Sequence, residues 1–209
     1  MRPPAVRLTD LGSLPNAIRR QAAELLVEAF NHPQGWPTIE AATREVEEVL
    51  RQGFAIAALE DELLLGWIGG LPQYDGRVWE LHPLAVRQDR RLRGIGRALV
   101  AAFEDEARRR GALTFTLGTD DDGGHTSLAD VDLYDDVPGH IAELADLGNR
   151  HPFLFYWRLG YVVTGIMPDA NGPGRPDIYM SKPASLARFA GTCADLITPE
   201  ELQADRRRG

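Results

Sequence analysis

A strand followed by a glycine-rich turn that opens a helix constrains the fold most strongly. Residues 77–86 alternate in the way of a strand, residues 91–97 read Arg-Leu-Arg-Gly-Ile-Gly-Arg, and a helical pattern then runs to Arg110. Glycines let the backbone approach a ligand, and the N-terminus of a helix attracts anions. Five arginines fall within residues 87–97. The pattern therefore predicts a phosphate site; the alternative is a glycine turn before a solvated basic helix face.

The turn lacks the features of two common nucleotide-binding motifs. No Gly-Lys-Ser/Thr follows it, as a P-loop requires. The third glycine of the dinucleotide fingerprint is absent, and the preceding strand is the fourth of the chain rather than the first. Both motifs are therefore excluded.

The remaining periodicity predicts a mixed sheet flanked by helices. We expect helices over 14–30, with Ser13 as N-cap, over 38–52 and, more briefly, near 141–147 and over 152–159. Further strands are predicted over 7–8, 54–59, 63–70, 113–118, 161–166 and 178–182. This order indicates an α/β (α+β) domain over residues 1–183, followed by a polar C-terminal extension over residues 184–209.

Composition and charge exclude several other classes. The 209 residues are 44% hydrophobic and 26% charged, which is typical of a globular chain rather than a disordered one. No apolar run approaches the ~20 residues of a membrane helix, and the N-terminus lacks a signal-peptide core, so we expect a cytoplasmic protein. A lone Cys193 excludes a disulfide framework. The net charge of −8 argues against nucleic-acid or membrane partners.

The strand before the turn carries two polar side chains among apolar ones. Strict alternation would give one face five side chains: Val78, Glu80, His82, Leu84 and Val86. Inside a sheet, Glu80 and His82 must be hydrogen-bonded, paired or lining a cleft, where a carboxylate suits a general base. Pro83 cannot donate to a sheet ladder, so it predicts a bulge or a splay. The alternative is an edge strand whose two polar side chains face water.

The pattern Arg-x-x-Gly-x-Gly at residues 91–96 resembles the pyrophosphate loop of the GCN5-related N-acetyltransferases. The resemblance implies that fold, with a mostly antiparallel mixed sheet, and acetyl-CoA as co-substrate without a metal. It implies that the thioester arm lies between splayed strands at 77–86 and 113–118. The residues that it assigns to acetyl-CoA are Leu84, Ala85, Val86, Arg91, Arg93, Gly94, Ile95, Gly96, Arg97 and Tyr156.

Several ordered segments between about residues 25 and 183 resemble chromosomal-type aminoglycoside 6′-N-acetyltransferases. They include Trp-Glu-Leu-His-Pro-Leu at 79–84, Leu-Gly-Thr-Asp-Asp at 117–121 and Pro-Asp-Ala-Asn-Gly at 168–172. In such an enzyme Glu80 would take the proton of the substrate ammonium through water, and backbone near Leu84 would bind the thioester carbonyl. Tyr156 would protonate the leaving thiolate; its alternative role is that of a core aromatic.

An acidic segment supports a cationic acceptor. Residues 111–149 contain nine Asp and Glu and no Lys or Arg. A cleft lined by one sign of charge attracts the opposite sign, although such runs are also often solvated surface. The resemblance implies a polycationic aminoglycoside as substrate and a homodimer in which Tyr74 reaches the neighbouring subunit. The substrate-binding residues that it implies are Trp36, Tyr74, Glu80, His82, Asp120 and Asp136.

Two other functions fit part of this pattern. One is an acetyltransferase for a polyamine, another small amine or a protein amine, because the acidic segment suits polyamines nearly as well. The other is a non-catalytic module that binds acyl-CoA or an aminoglycoside. The ordered segments argue against the first alternative, and the presence of Glu80 and Tyr156 argues against the second.

Overall fold

Seven strands of the chain form a single mixed sheet. The computed structural model describes residues 6–30, 35–148 and 150–185. The strands are β1 (Arg7–Asp10), β2 (Phe54–Glu60), β3 (Leu63–Gln73), β4 (Val78–Val86), β5 (Thr114–Asp120), β6 (Val162–Met167) and β7 (Asp177–Pro183). Their order in the sheet is β1-β2-β3-β4-β5-β7-β6. Only β4 and β5 are parallel neighbours among these strands, so the predicted mixed, mostly antiparallel sheet is confirmed.

Helices flank the sheet in the predicted order, with some shifted ends. They are α1 (Asn16–Ala29), α2 (Ile39–Gln52), α3 (Ile95–Arg109), α4 (Val137–Ala142) and α5 (Phe153–Trp157). The predicted N-cap of α1 is wrong, because Ser13 belongs to a 3-10 turn and its hydroxyl donates to Asp10 O at 2.8 Å. The helix expected at residues 141–147 begins earlier, where the side chain of Asp136 caps α4.

The two faces of the sheet carry two hydrophobic cores. On one face, α1 and α2 contribute Leu26 and Val49, which pack with Trp67 of β3. On the other face, α3 contributes Phe103, which packs with Phe115 of β5 and with residues of α5 and β7. The central strands are thus held by apolar burial on both faces, which stabilises the sheet at about 25 cal/mol per Å² of apolar area buried.

The parallel pair β4–β5 separates after a short stretch of pairing. Val78–Glu80 pair with Thr114–Thr116, and beyond Glu80 the two strands share no register. Next to the divergence, Gly70 of β3 pairs with Leu81 of β4, and the next pair joins Ile68 to Leu84, so β4 has one residue more than β3 between the two pairs. The extra residue on β4 is a β-bulge beside Pro83, so the predicted bulge and splay are both confirmed.

The bulge overturns one prediction about β4. Strict alternation would put Glu80, His82, Leu84 and Val86 on one face, but Leu84 and Val86 pack against the core beneath α3. Ala85 belongs to the opposite core, beneath α1 and α2. One extra residue in a strand exchanges the two faces from that point on. The polar pair therefore faces the α2 side of the sheet, whereas the pair that follows the bulge faces α3.

Part of the prediction lies outside the described residues. The extension expected at residues 184–209 is described only through Ser185, and Cys193 lies beyond it. Among the helices of residues 6–30, 35–148 and 150–185, none has the length and apolar character that crossing a bilayer requires.

Candidate active site

A cleft of 510 Å³ opens where β4 and β5 diverge. Five predicted site residues line it: Trp36, His82, Leu84, Asp120 and Tyr156. They come from the segment before α2, from two strands and from α5. The divergence thus brings together side chains that are far apart in sequence, because neither strand closes the gap with the other.

A second cavity of comparable size is a weaker candidate. It measures 530 Å³ and lies between the first two strands and α3, near Asp10 and Arg109. The guanidinium of Arg109 is ion-paired with Glu106. None of the predicted site residues lines this cavity. The divergence cleft is therefore the stronger candidate for the active site.

The glycine turn presents an anion-binding helix terminus near the cleft. Gly94 adopts φ 84°, a left-handed conformation that glycine tolerates without strain, and α3 begins at the next residue. Gly94 O accepts the first intrahelical bond at 3.0 Å, so the N–H groups of residues 95–97 have no intrahelical acceptor. Arg93 and Arg97 are exposed and form no ion pair with any described residue. This arrangement suits a pyrophosphate.

The arginines of the turn do not all have the same role. Arg90 forms an ion pair with Glu60 at 3.0 Å. The Nε of Arg91 donates to Val86 O at 3.2 Å, which ties the turn to the end of β4. Arg93 and Arg97 are therefore better placed than Arg90 to meet a phosphate.

Tyr156 lies at the junction of α5, the glycine turn and the cleft. Its ring packs against Phe155 at a centroid distance of 5.0 Å, and a Cβ added at Gly96 would lie 3.4 Å from Phe155. The side chain of Tyr156 is 8% exposed. Burial raises the pKa of Tyr156, so the phenol keeps its proton at neutral pH. The residue is a core aromatic that also lines the cleft, and its role as a proton donor stays a prediction.

Glu80 is half-buried on the face of β4 that is turned towards α2. The Nε2 of Gln73, from the end of β3, donates to Glu80 Oε2. Glu80 stands beside the cleft rather than in its lining, and its charge contributes to raising the pKa of His82 and of Asp177. Its carboxylate is thus held by one amide donor within electrostatic range of the cleft.

His82 is held from the α2 side. Its Nε2 lies 3.3 Å from Glu45 Oε1, and its ring meets the Trp36 indole edge-on at 5.7 Å. Burial works against the charged ring, but the contact with Glu45 and its charge outweigh burial, and the pKa of His82 is raised. Nothing in the sequence pattern singled out Glu45, because helical carboxylates usually face water.

Several acidic side chains of segment 111–149 accept hydrogen bonds from the segment itself and do not line the cleft. Asp121 is fully buried and accepts bonds from Thr126 N, at 2.9 Å, and from Thr126 Oγ1, at 2.6 Å. Asp136 accepts from Gly139 N at 3.0 Å as the cap of α4, and its predicted role in substrate binding stays a prediction. Of the acids in this segment, Asp120 and Asp122 line the cleft.

Asp120 is held by two contacts that the sequence patterns did not predict. The Nδ2 of Asn171 donates to Asp120 Oδ1 at 2.8 Å. His151 Nε2 lies 2.9 Å from Asp120 O, and Phe153 N donates to His151 Nδ1 at 3.3 Å. Because Nδ1 accepts, Nε2 carries the proton and donates. His151 therefore links the end of β5 to the start of α5.

Asp177 adds a carboxylate from β7 that sequence reasoning missed. It pairs in register with Asp120, and its carboxylate lies over Gly118, where an added Cβ would be 2.5 Å from Asp177 Oδ2. Its Oδ1 is buried and has no hydrogen-bond partner among the described residues. Burial, followed by the charge of Asp120, raises the pKa of Asp177 to about 6. The only local signal was its position directly before the last predicted strand.

Replacing Asp177 with asparagine is expected to raise stability above pH 6 and to change it little below pH 4. A carboxyl whose pKa is higher in the folded state than in the unfolded chain stabilises below the unfolded value, and this contribution is lost as pH rises through about 6. Thermal melts of Asp177→Asn and wild type at pH 4 and pH 7.5 measure the difference. An equal difference in Tm at both pH values would contradict the raised pKa.

Tyr74 lies outside the cleft. It sits in the turn between β3 and β4, with 74% of its surface exposed. The contact with a neighbouring subunit, and the homodimer that it implies, stay predictions. Among the described residues, no three His, Cys, Asp or Glu side chains are grouped in a way that could hold a metal ion.

Comparisons with known proteins agree with this geometry. The sequence profile of the Acetyltransferase (GNAT) family matches residues 18–131. A solved aminoglycoside 6′-N-acetyltransferase in complex with coenzyme A is 36% identical to the chain, with a TM-score of 0.80. The aminoglycoside 6′-N-acetyltransferase from Enterococcus faecium is 37% identical, with a TM-score of 0.78. Each comparison covers 86% of this chain and 97% of the other. A search of curated proteins found no match.

Proposed function

The chain belongs to the GNAT acetyltransferase family, and from that premise we propose that it moves the acetyl group of acetyl-CoA to the 6′-amine of an aminoglycoside. The observation that carries the proposal is the polarity of the cleft. An anion-binding helix terminus with exposed arginines follows the end of β4, and carboxylates from β4, β5 and β7 come together near the cleft-lining Asp120. The two similar solved structures named above are themselves aminoglycoside 6′-N-acetyltransferases, which favours this acceptor.

At the acetyl-CoA end, the N–H groups of residues 95–97 and the cations of Arg93 and Arg97 would hold the pyrophosphate. Leu84 and Val86 would contact the pantetheine arm, since both lie on the α3 side of β4. Arg91 would support the turn through its bond to Val86 O. These contacts give the co-substrate a charged anchor at one end and an apolar wall along its arm.

At the acceptor end, negative charge converges from several elements. Asp120 and Glu80 lie close enough to Asp177 for their charges to add to the effect of burial, which raises the pKa of Asp177. Ammonium groups of an aminoglycoside would offset this repulsion, and the cleft would attract a polycation. Trp36, next to His82, offers an apolar ring face to a sugar.

The reaction would proceed by direct transfer. The ammonium of the acceptor gives a proton, through water, to Glu80, and the amine nitrogen then attacks the thioester carbonyl and forms the C–N bond. Backbone N–H near Leu84, freed because β4 has no β5 partner there, would donate to the oxyanion. As the C–S bond breaks, the thiolate takes the proton of the Tyr156 phenol, which burial keeps protonated. The second proton of the attacking nitrogen then passes through water to the Tyr156 phenolate, which leaves a neutral amide and restores the phenol.

Thiol release measures this function directly. Protein mixed with acetyl-CoA and kanamycin or tobramycin should release free coenzyme A thiol, and mass spectrometry of fragments should place the new acetyl group on the 6′-amine. A panel with spermidine and a lysine peptide tests the alternative acceptors, which the acidic cleft also suits. If, of all these acceptors, only the polyamine releases thiol, the enzyme is a polyamine acetyltransferase instead. If the protein binds the antibiotic without any turnover, it is a binding module.

A further inference from the structure

One carboxylate of α2 holds two of the rings that line the acceptor side of the cleft. Glu45 Oε2 accepts the indole N–H of Trp36 at 3.2 Å, and Glu45 Oε1 lies 3.3 Å from His82 Nε2. Both oxygens are therefore engaged, each by a different ring. The side chain of Glu45 is 23% exposed, so the contact is partly shielded from water.

Trp36 depends on such contacts for its position. It lies before α2, outside any helix or strand. Its backbone N–H donates to Phe30 O at 3.1 Å, and its ring meets the Phe30 ring at 5.3 Å. These contacts fix the backbone and one edge of the ring. The bond from the indole to Glu45 fixes the remaining freedom, the rotation of the ring over the cleft.

His82 has acidic groups near it on three elements. Glu45 approaches from α2, Glu80 from the same strand and Asp120 from β5. Other titratable side chains that line the cleft are Asp122, His125, His151 and Tyr156. Of these groups, Glu45 makes the direct contact and contributes most to raising the pKa of His82. In the neutral ring, a proton on Nε2 shared with Glu45 would leave Nδ1 as the acceptor.

We propose that Glu45 is a positioning residue for acetyl transfer, whose carboxylate orients the His82 imidazole and the Trp36 indole against the acceptor. The proposal rests on the acetyltransferase function proposed above. Glu45 should act on only one of the two substrates, because its contacts lie on the α2 side of the sheet, whereas the arginine turn lies at the start of α3. Loss of the carboxylate should therefore affect the acceptor and leave acetyl-CoA binding unchanged.

Glu45→Gln tests the proposal with little change of shape. We expect kcat/KM for the aminoglycoside to fall about tenfold or more, since small displacements of reacting groups are costly, and KM for acetyl-CoA to stay within about twofold. Glu47→Gln is the matched control, an exposed carboxylate on the same helix. In a His82→Asn background, Glu45→Gln should lower kcat/KM by a clearly smaller factor than in wild type, because the part of its effect that passes through His82 is already lost. Full additivity of the two changes would overturn the proposal.

A titration of His82 gives a readout that does not depend on activity. The pKa of the His82 ring, followed by NMR, should fall in Glu45→Gln and stay unchanged in Glu47→Gln, since burial then acts without the opposing carboxylate. An unchanged titration in Glu45→Gln would overturn the proposal. If wild-type protein acetylates no aminoglycoside, the function proposed above fails, and the double-variant comparison is made with whichever amine of the panel reacts. If none reacts, the titration alone decides the orienting contact.

Discussion

Glu80→Gln is expected to lower kcat for acetyl transfer by about 100-fold or more, because an amide cannot take the proton of the acceptor ammonium. The change preserves shape, and the amide oxygen of the new side chain can still accept the bond that Gln73 Nε2 makes to Glu80. Steady-state kinetics with acetyl-CoA and a reactive aminoglycoside measure the effect. We expect the loss in kcat to exceed any change in KM for acetyl-CoA, whose proposed binding site is the turn at residues 91–97.

Glu62→Gln is the control for this prediction. Glu62 is an exposed carboxylate in the turn between β2 and β3, and its replacement should leave kcat unchanged. Thermal melts of both variants should agree with wild type within a few degrees. A Glu80→Gln enzyme that retains most of its kcat would assign the proton to another acceptor, such as water or Asp177.

Gly69→Ala is expected to lower the free energy of unfolding by about 3 kcal/mol and to remove most of the activity. A Cβ at Gly69 would lie 2.2 Å from the backbone oxygen of His82 and 2.6 Å from Val49 Cγ1. The close atom belongs to the bulge of β4, so relief requires β3 and β4 to separate rather than one side chain to turn. That movement would displace the backbone that leads into Leu84. Denaturant unfolding measures the loss of stability.

Gly165→Ala is the matched control on β6. A Cβ there would lie 3.7 Å from Tyr179 Cδ2, which is an ordinary contact, so we expect a change within about 1 kcal/mol. If the two variants unfold at the same denaturant concentration, the close approach of β3 to the bulge does not limit stability.

The glycine turn and the bulge could be predicted because both depend on residues next to one another. Gly94 tolerates the left-handed backbone of the turn without strain, and the helix that follows leaves free N–H groups for reasons of geometry alone. Pro83 lacks a donor in any fold, which interrupts a ladder wherever it occurs. The effect of the bulge on side-chain direction was not predicted. The bulge exchanges the two faces of β4, so Leu84 and Val86 lie on the opposite face from Glu80.

Which carboxylates lie near the cleft could not be predicted from the number of acidic residues in a segment. Segment 111–149 is the most acidic part of the chain, yet Asp121 and Asp136 bond to backbone groups of their own loops. An Asp in a loop often accepts hydrogen bonds from nearby backbone N–H groups. A count of charges does not distinguish such an Asp from one that faces a cleft. The carboxylates near the cleft include Glu45 and Asp177, which lie outside that segment, one before it and one after it in the chain.

The sequence by itself determined the sheet-and-helix order, the anion-binding turn, the interruption of β4 and the candidates Glu80 and Tyr156. Each follows from short-range rules of backbone geometry or from a resemblance carried by ordered segments. The tertiary structure alone decided which charges meet. Asp120 faces Asp177 because β5 and β7 pair in register, and Glu45 reaches both His82 and Trp36 because α2 packs beside β3 and β4. Electrostatic contacts depend on distances across the fold, and no local pattern encodes those distances.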